Sequence, residues 1–143
     1  MRINDEVMPA FQTREELAAQ QFQGLRWTVN HAYNGSPEYR QKFEAAGVHP
    51  DDIRSLDDLR RLPFTTADDL REGYPFPLRC VPFEQIVRIH SSSGTTGKRK
   101  NLCYTRKDVE DWARFFARCY RMAGVTERDR VQIAVGYGVW TAG

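Results

Sequence analysis

One loop decides how this 143-residue chain is organised: Ser92-Ser93-Gly94-Thr95-Thr96-Gly97-Lys98. The segments on either side of it, 86–90 and 101–104, have the β-branched and aromatic composition of strands. Within the loop, two glycines allow backbone N–H groups to turn inward. Four hydroxyls add donors, and Lys98 adds a positive point charge. Such a mixture of groups at the end of a strand predicts a site for an anion, such as the phosphates of a nucleotide.

Two other interpretations of this loop are weaker. A flexible Ser/Gly linker rarely has a Lys-Arg-Lys run, as at 98–100, directly after its glycine. The P-loop of kinases and GTPases needs a glycine five residues before its Gly-Lys pair and a Ser or Thr after the lysine. Ser92 and Arg99 occupy those positions here, so the hydroxyl that would bind magnesium is missing. The loop is therefore not a P-loop of that kind.

The loop resembles the phosphate loop of the acyl-adenylate-forming superfamily, and the chain resembles the phenylacetate–CoA ligases along nearly its whole length. No single segment before the loop is specific to this family, but the order and spacing of the segments together are. The matching segments are 31–33, 36–40, 43–47, 59–66, 69–71, 74–76, 85–90, 104–108 and 136–138.

This resemblance implies a two-step activation of an aryl acid, a small molecule. Its carboxylate attacks the α-phosphorus of ATP, and coenzyme A then displaces AMP from the acyl-adenylate. The phosphate loop, residues 92–98, is expected to hold the β- and γ-phosphates. Mg²⁺ is expected to bridge the phosphates, but the segment offers no convincing ligand for it.

Family members are several times longer than this chain, and their catalytic lysine lies beyond the residues that match. The chain is therefore expected to be the N-terminal part of such an enzyme, carrying no catalytic residue and inactive alone. The alternative is a short module without catalysis that binds a nucleotide or dimerises.

Two aromatic residues are candidates for the aryl-acid pocket. Tyr137 and Trp140 follow a predicted strand at 131–135 and lie beside two glycines that permit close approach of a ring. By resemblance, this segment contributes to the substrate pocket of the family. Packing in the core is an equally good interpretation of both side chains.

The sequence departs from the family pattern at two positions. Arg99 stands where proline is usual, which gives up a fixed φ and adds positive charge. Ala67 stands where family members tend to carry lysine, which we interpret as a neutral substitution at the protein surface.

Composition excludes several classes of protein. A net charge of +2 gives no argument for binding nucleic acid or an anionic membrane. No apolar run approaches the length of a membrane span, and the N-terminus has no signal-peptide pattern. Three widely spaced cysteines form no metal or redox motif and indicate a reducing compartment, so we expect a cytoplasmic protein.

The pattern predicts an N-terminal helical region at 1–77, followed by the first part of an α/β sheet domain at 78–143 that is incomplete relative to the family fold. A capping box of Thr13 and Glu16 begins the first helix, which runs to about Asn34. Ser36-Pro37 begins a second helix that Gly47 closes. A third, short helix opens at Ser55 with Asp58 and ends before Pro63, and a fourth runs from Thr65 or Thr66 to Gly73.

In the second region, Thr105 with Asp108 is predicted to begin a helix that ends at Gly124. An apolar stripe at helical spacing along it is expected to face the core: Trp112, Phe115, Phe116, Cys119 and Met122. The incomplete sheet leaves a strand edge exposed, which makes a homodimer possible. The histidines, His31, His49 and His90, are expected to be structural, with His90 the one nearest the loop.

Overall fold

The computed structural model describes residues 13–94, 97–134 and 136. The first helix, α1, spans Arg14–Gly35 and begins at the predicted capping box. The Glu16 amide donates to Oγ1 of Thr13, and the Thr13 amide donates to Oε2 of Glu16, both at 3.1 Å. Helix α2 spans Pro37–Ala45, with the Ser36 hydroxyl accepting from the Tyr39 amide at 3.3 Å. Both predicted helix starts are confirmed.

The core of the helical region is formed by α1, α2 and the turns that follow them. Five apolar side chains are buried in it: Val29, Ala32, Phe43, Val48 and Ile53. Half-buried side chains surround them: Phe22, Leu25, Tyr33, Tyr39, Leu62 and Cys80. Leu17, in the first turn of α1, is more than a third exposed.

The short helices that follow differ in part from their prediction. The segments Pro50–Asp52 and Leu56–Arg61 are 3₁₀ helices. The Asp58 carboxylate accepts from the Ser55 amide at 2.8 Å, so the predicted start is correct although the helix is of the tighter type. Helix α3 is a single turn, Asp69–Glu72. The Thr66 amide donates to Asp69 at 2.6 Å and caps the turn, but the backbone becomes helical only at Asp69, later than the predicted start at Thr65 or Thr66.

The sheet consists of an antiparallel pair. Strand β1 (Ile86–Ser91) pairs with β2 (Asn101–Thr105), with Ser91 opposite Asn101 and a bulge between Ile86 and Arg88. Helix α4, Arg106–Met122, follows β2 directly, and its Thr105–Asp108 capping box forms as predicted. The predicted order, helical segment first and sheet second, is confirmed, as are both strands that flank the phosphate loop. The division at residue 77 stays a prediction.

Two predictions for the second region are wrong. Residues 131–134 form no strand, because no other described segment offers them a hydrogen-bonding partner; Val131 and Ile133 are more than half exposed. Val135, the last residue of that prediction, lies outside the described residues. The stripe on α4 is covered only at Trp112, which packs against His90 and Tyr104, and the rest of it is not a buried core. Phe115, Phe116 and Met122 are 55%, 51% and 78% exposed, because no described element covers that side of the helix.

Among the described residues, no helix is both long and apolar enough to cross a membrane.

Candidate phosphate-binding loop

The two ends of the phosphate loop are joined at the end of the β1–β2 hairpin where the loop connects the strands. The Ser92 amide donates to the Lys100 carbonyl oxygen at 3.0 Å. The Lys100 amide returns a hydrogen bond to the Ser92 hydroxyl, also at 3.0 Å. This reciprocal pair extends the ladder one step past Ser91 and Asn101. We call the hydrogen-bonded pair Ser92 and Lys100 the neck of the loop. The loop therefore extends from a rigid neck and is not a flexible linker.

The neck is also tied to the segment that precedes the sheet. The hydroxyl of Ser91, which is 8% exposed, donates to Oδ1 of Asn101. The other end of the same amide, Nδ2 of Asn101, donates to the Pro75 carbonyl oxygen at 3.0 Å. One side chain thus connects both strands to the turn at 74–77. The sequence analysis did not identify Asn101 as a site residue, and its position opposite a serine just outside the loop was the available signal.

Glycines shape the part of the loop that the structure describes. Gly94 and Gly97 have φ values of +76° and +129°, which side chains rarely adopt. The Gly97 amide donates to the Gly94 carbonyl oxygen at 3.2 Å and closes a turn. A methyl group on Gly94 would lie 2.8 Å from Cγ of Arg99. The stem of Arg99 therefore packs over Gly94, at the position where the family usually has proline.

Lys98 supplies the charge of the site. Its side chain is exposed, and no described carboxylate forms a salt bridge with it. Ser93 is exposed as well. The ammonium group is therefore available to an anion. Thr95 and Thr96 complete the predicted set but lie outside the described residues, so their part in the site stays a prediction.

An aromatic cluster lies directly behind the neck. The ring of His90 is 5.1 Å from the ring of Tyr104 and 5.2 Å from that of Trp112, measured between centroids. Tyr104 and Trp112 stack on each other at 5.4 Å. Burial raises the pKa of the Tyr104 phenol, and the nearby Asp108 carboxylate adds to the shift. The cluster fixes α4 against the end of the hairpin that carries the loop.

The other sequence-predicted candidates are not brought to this site. His31 stacks on Trp27 with ring centroids 4.7 Å apart, and His49 caps the 3₁₀ helix at Pro50–Asp52. Tyr137 and Trp140 lie outside the described residues, so the aryl-acid wall stays a prediction. Among the described residues, no group of three or more His, Cys, Asp or Glu side chains could hold a metal ion.

One cavity of the described structure lies away from the loop. It has a volume of about 880 Å³ and is lined by side chains from α1, β2 and the start of α4, among them Trp27, Cys103 and Arg106. No described residue of the phosphate loop lines it.

Comparison with known proteins identifies the class. A solved 2-hydroxyisobutyryl-CoA ligase, in the postadenylation state in complex with 2-HIB-AMP, is 28% identical, with a TM-score of 0.79 over 90% of this chain and 28% of its own. The same ligase in the thioesterification state, in complex with 2-HIB-AMP and CoA, is 33% identical over 68% of this chain and 22% of its own, with a TM-score of 0.61. The chain therefore has the fold of part of an acyl-CoA ligase.

The relatives found by sequence similarity belong to a narrower class of ligase. A phenylacetate-coenzyme A ligase of Escherichia coli (strain K12) is 54% identical over 129 residues, which is 90% of this chain and 30% of that enzyme. That of Aromatoleum evansii is 50% identical over 131 residues, 92% of this chain and 30% of the enzyme. The chain is a homologue of the phenylacetate-coenzyme A ligases and corresponds to an N-terminal part of them, which confirms the predicted resemblance. It spans about three-tenths of the length of these relatives. No protein-family model matches the chain.

Proposed function

We propose that this chain is the N-terminal part of an ATP-dependent, AMP-forming CoA ligase for an aryl acid such as phenylacetate. In this proposal, residues 92–98 bind the β- and γ-phosphates of ATP. The observation that carries it is the pairing of a Ser/Thr/Gly/Lys loop with a hydrogen-bonded hairpin neck, in a homologue of phenylacetate-coenzyme A ligases. The names of the solved relatives support both partial reactions, since they describe complexes with an acyl-AMP and with CoA.

The role of the loop in the reaction is to align the triphosphate of ATP and to neutralise its negative charge. As the carboxylate of the acid attacks the α-phosphorus of ATP, the bond to pyrophosphate breaks and negative charge moves onto the leaving group. Fixed N–H groups, hydroxyls and Lys98 offset that charge without rearranging during the reaction. The thiol of CoA then attacks the acyl carbon and releases AMP.

The supporting geometry is the rigidity of the neck. Because Ser92 and Lys100 hold the loop ends together, the donors are positioned before the nucleotide arrives, and less ordering is needed on binding. Magnesium supplies further charge neutralisation between phosphates when it is bound. The described residues contain no cluster that fits such an ion, so no step is assigned to a magnesium held by this segment.

The test is Lys98→Ala in the full-length ligase that carries this segment, followed by acid-dependent exchange of pyrophosphate into ATP. We expect the KM for ATP to rise and adenylation to slow by about tenfold to a hundredfold, because a charge-assisted contact to phosphate is lost. The matched control is Lys107→Ala, since Lys107 pairs with Asp111 on α4 at 2.6 Å, outside the loop. Unchanged adenylation in Lys98→Ala would contradict the proposed role of the loop.

A second candidate is a dimerisation module without catalysis, which the uncovered side of α4 favours. Sedimentation of the 143-residue chain tests this candidate directly. A dimer that Phe115→Glu converts to a monomer supports the module, and a monomer at all concentrations contradicts it. Phe115 is suitable because its ring is 55% exposed, so the substitution leaves the core intact.

A further inference from the structure

His90 is a buried polar side chain that the proposed function does not use. It is the penultimate residue of β1, two residues before Ser92, and it is only 5% exposed. Its ring packs against Tyr104 of β2 and Trp112 of α4. The side chain therefore joins the strand that leads into the loop to the helix that follows it.

The environment of the ring does not explain why it is an imidazole. The Nδ1 atom is buried and has no hydrogen-bond partner among the described residues. Buried polar atoms are nearly always hydrogen-bonded, and an unpartnered one destabilises the fold. A phenylalanine would fill the same space between Tyr104 and Trp112 without that penalty. The nitrogen therefore has the capacity for a hydrogen bond that the described residues do not supply.

The first residue of the phosphate loop is the natural source of this partner. Residues two apart in an extended segment lie on the same side of it, which places Ser92 on the His90 side. The Ser92 hydroxyl already accepts from Lys100, and its own hydrogen remains to be donated.

We propose that His90 is a positioning residue for the phosphate loop. Its Nδ1 accepts a hydrogen bond from the Ser92 hydroxyl in the nucleotide-bound protein. His90 does not touch the phosphates; it holds the start of the loop in the binding conformation. This inference rests on the proposed function of the loop.

The experiment compares full-length ligase variants by steady-state kinetics and thermal unfolding. In His90→Phe, which keeps an aromatic ring and loses the nitrogen, we expect the KM for ATP to rise about tenfold. The values of kcat, KM for the acid and KM for CoA should stay within about twofold, and Tm should not fall. In His90→Asn, which returns a polar atom near the Nδ1 position, we expect the KM for ATP to recover at least in part. The matched control is His31→Phe, because His31 also stacks on an aromatic ring, that of Trp27, outside the loop.

The outcomes separate this inference from the function on which it rests. If Lys98→Ala raises the KM for ATP and His90→Phe does not, the positioning role of His90 is wrong, while the proposed phosphate-binding role of the loop is supported. If His90→Phe lowers Tm and alters all three KM values alike, the residue is merely structural and the inference is overturned. If Lys98→Ala changes nothing, the proposed function fails and the role of His90 fails with it. A selective rise in the KM for ATP in both variants, with recovery in His90→Asn, supports the proposal.

Discussion

Two glycines of α1 give a stability prediction in which the same substitution has opposite effects. A methyl group on Gly35, the last residue of the helix, would lie 2.8 Å from Cα of Cys80 and closer still to the Cys80 carbonyl oxygen. Carbon atoms in contact normally lie about 3.5–4.0 Å apart, so the overlap is about 0.7 Å or more. Because the opposing atoms are backbone, no side-chain rotation can relieve the overlap. The end of α1 and the segment at Cys80 must move apart.

The magnitude follows from this geometry. Overpacking that forces a backbone shift destabilises by about 1–3 kcal/mol, so we expect about 2 kcal/mol for Gly35→Ala. The control is Gly24→Ala in the middle of the same helix, where an added methyl group has no neighbour within 4 Å. There alanine should stabilise by about 0.5–1 kcal/mol, because it lowers the entropy cost of forming the helix.

The assay is thermal and urea unfolding of the 143-residue chain, followed by circular dichroism. The two variants should differ by about 3 kcal/mol, which corresponds to roughly 10 °C in Tm for a domain of this size. The m-values should be equal, since neither substitution alters the surface that unfolding exposes. A Gly35→Ala variant as stable as Gly24→Ala would refute the close approach of α1 to Cys80.

Two further predictions concern single contacts. Nζ of Lys42 on α2 lies 2.6 Å from Oδ1 of Asp69 on α3, and this hydrogen bond, with those from Thr66, lowers the pKa of Asp69 to about 2. Because the pKa of Asp69 is lower in the folded state, its ionised carboxylate stabilises the fold at pH values above the unfolded pKa of 3.8. This stabilisation is lost as the pH falls through about 2. The stability difference between wild type and Asp69→Asn, about 1 kcal/mol after solvent screening, should therefore shrink between about pH 4 and pH 2 in urea titrations. Removing the N-cap of α4 by Thr105→Ala should cost about 1 kcal/mol in the same assay, while Thr105→Ser, which keeps the hydroxyl, should cost little.

The features that could be predicted from the sequence are those determined within a few residues. The capping boxes at Thr13 and Thr105 each join residues three apart, and both form with the expected hydrogen bonds. The strands on either side of the phosphate loop follow from their own composition. Where local signals compete, the type and the first residue of a helix are predicted less precisely. Asp58 caps as expected, but the helix after it is a 3₁₀ helix, and the turn capped by Thr66 becomes helical only at Asp69.

Long-range contacts in the candidate site could not be predicted. The bond from Asn101 to the Pro75 carbonyl joins residues 26 apart, and no periodicity in the sequence encodes it. The packing of the Arg99 stem over Gly94 likewise depends on the turn that Gly97 closes. The sequence could identify the loop as an anion site from its residue types. It could not show that two hydrogen bonds between Ser92 and Lys100 join the ends of the loop.

The two incorrect predictions have a common physical cause, and it bears on the proposed function. The stripe on α4 and the segment 131–134 have the patterns of buried structure, but burial needs a partner. The described residues supply one only for Trp112, which packs against His90 and Tyr104. A pattern of apolar residues indicates which surface must be covered without indicating what covers it. The phenylacetate-coenzyme A ligases that match this chain are about three times its length. In the full-length ligase that we propose, we expect the additional chain to cover α4 and to pair with 131–134. The aromatic cluster of His90, Tyr104 and Trp112 would then be enclosed from the far side of α4, which would hold the neck of the phosphate loop more firmly than the 143-residue chain can.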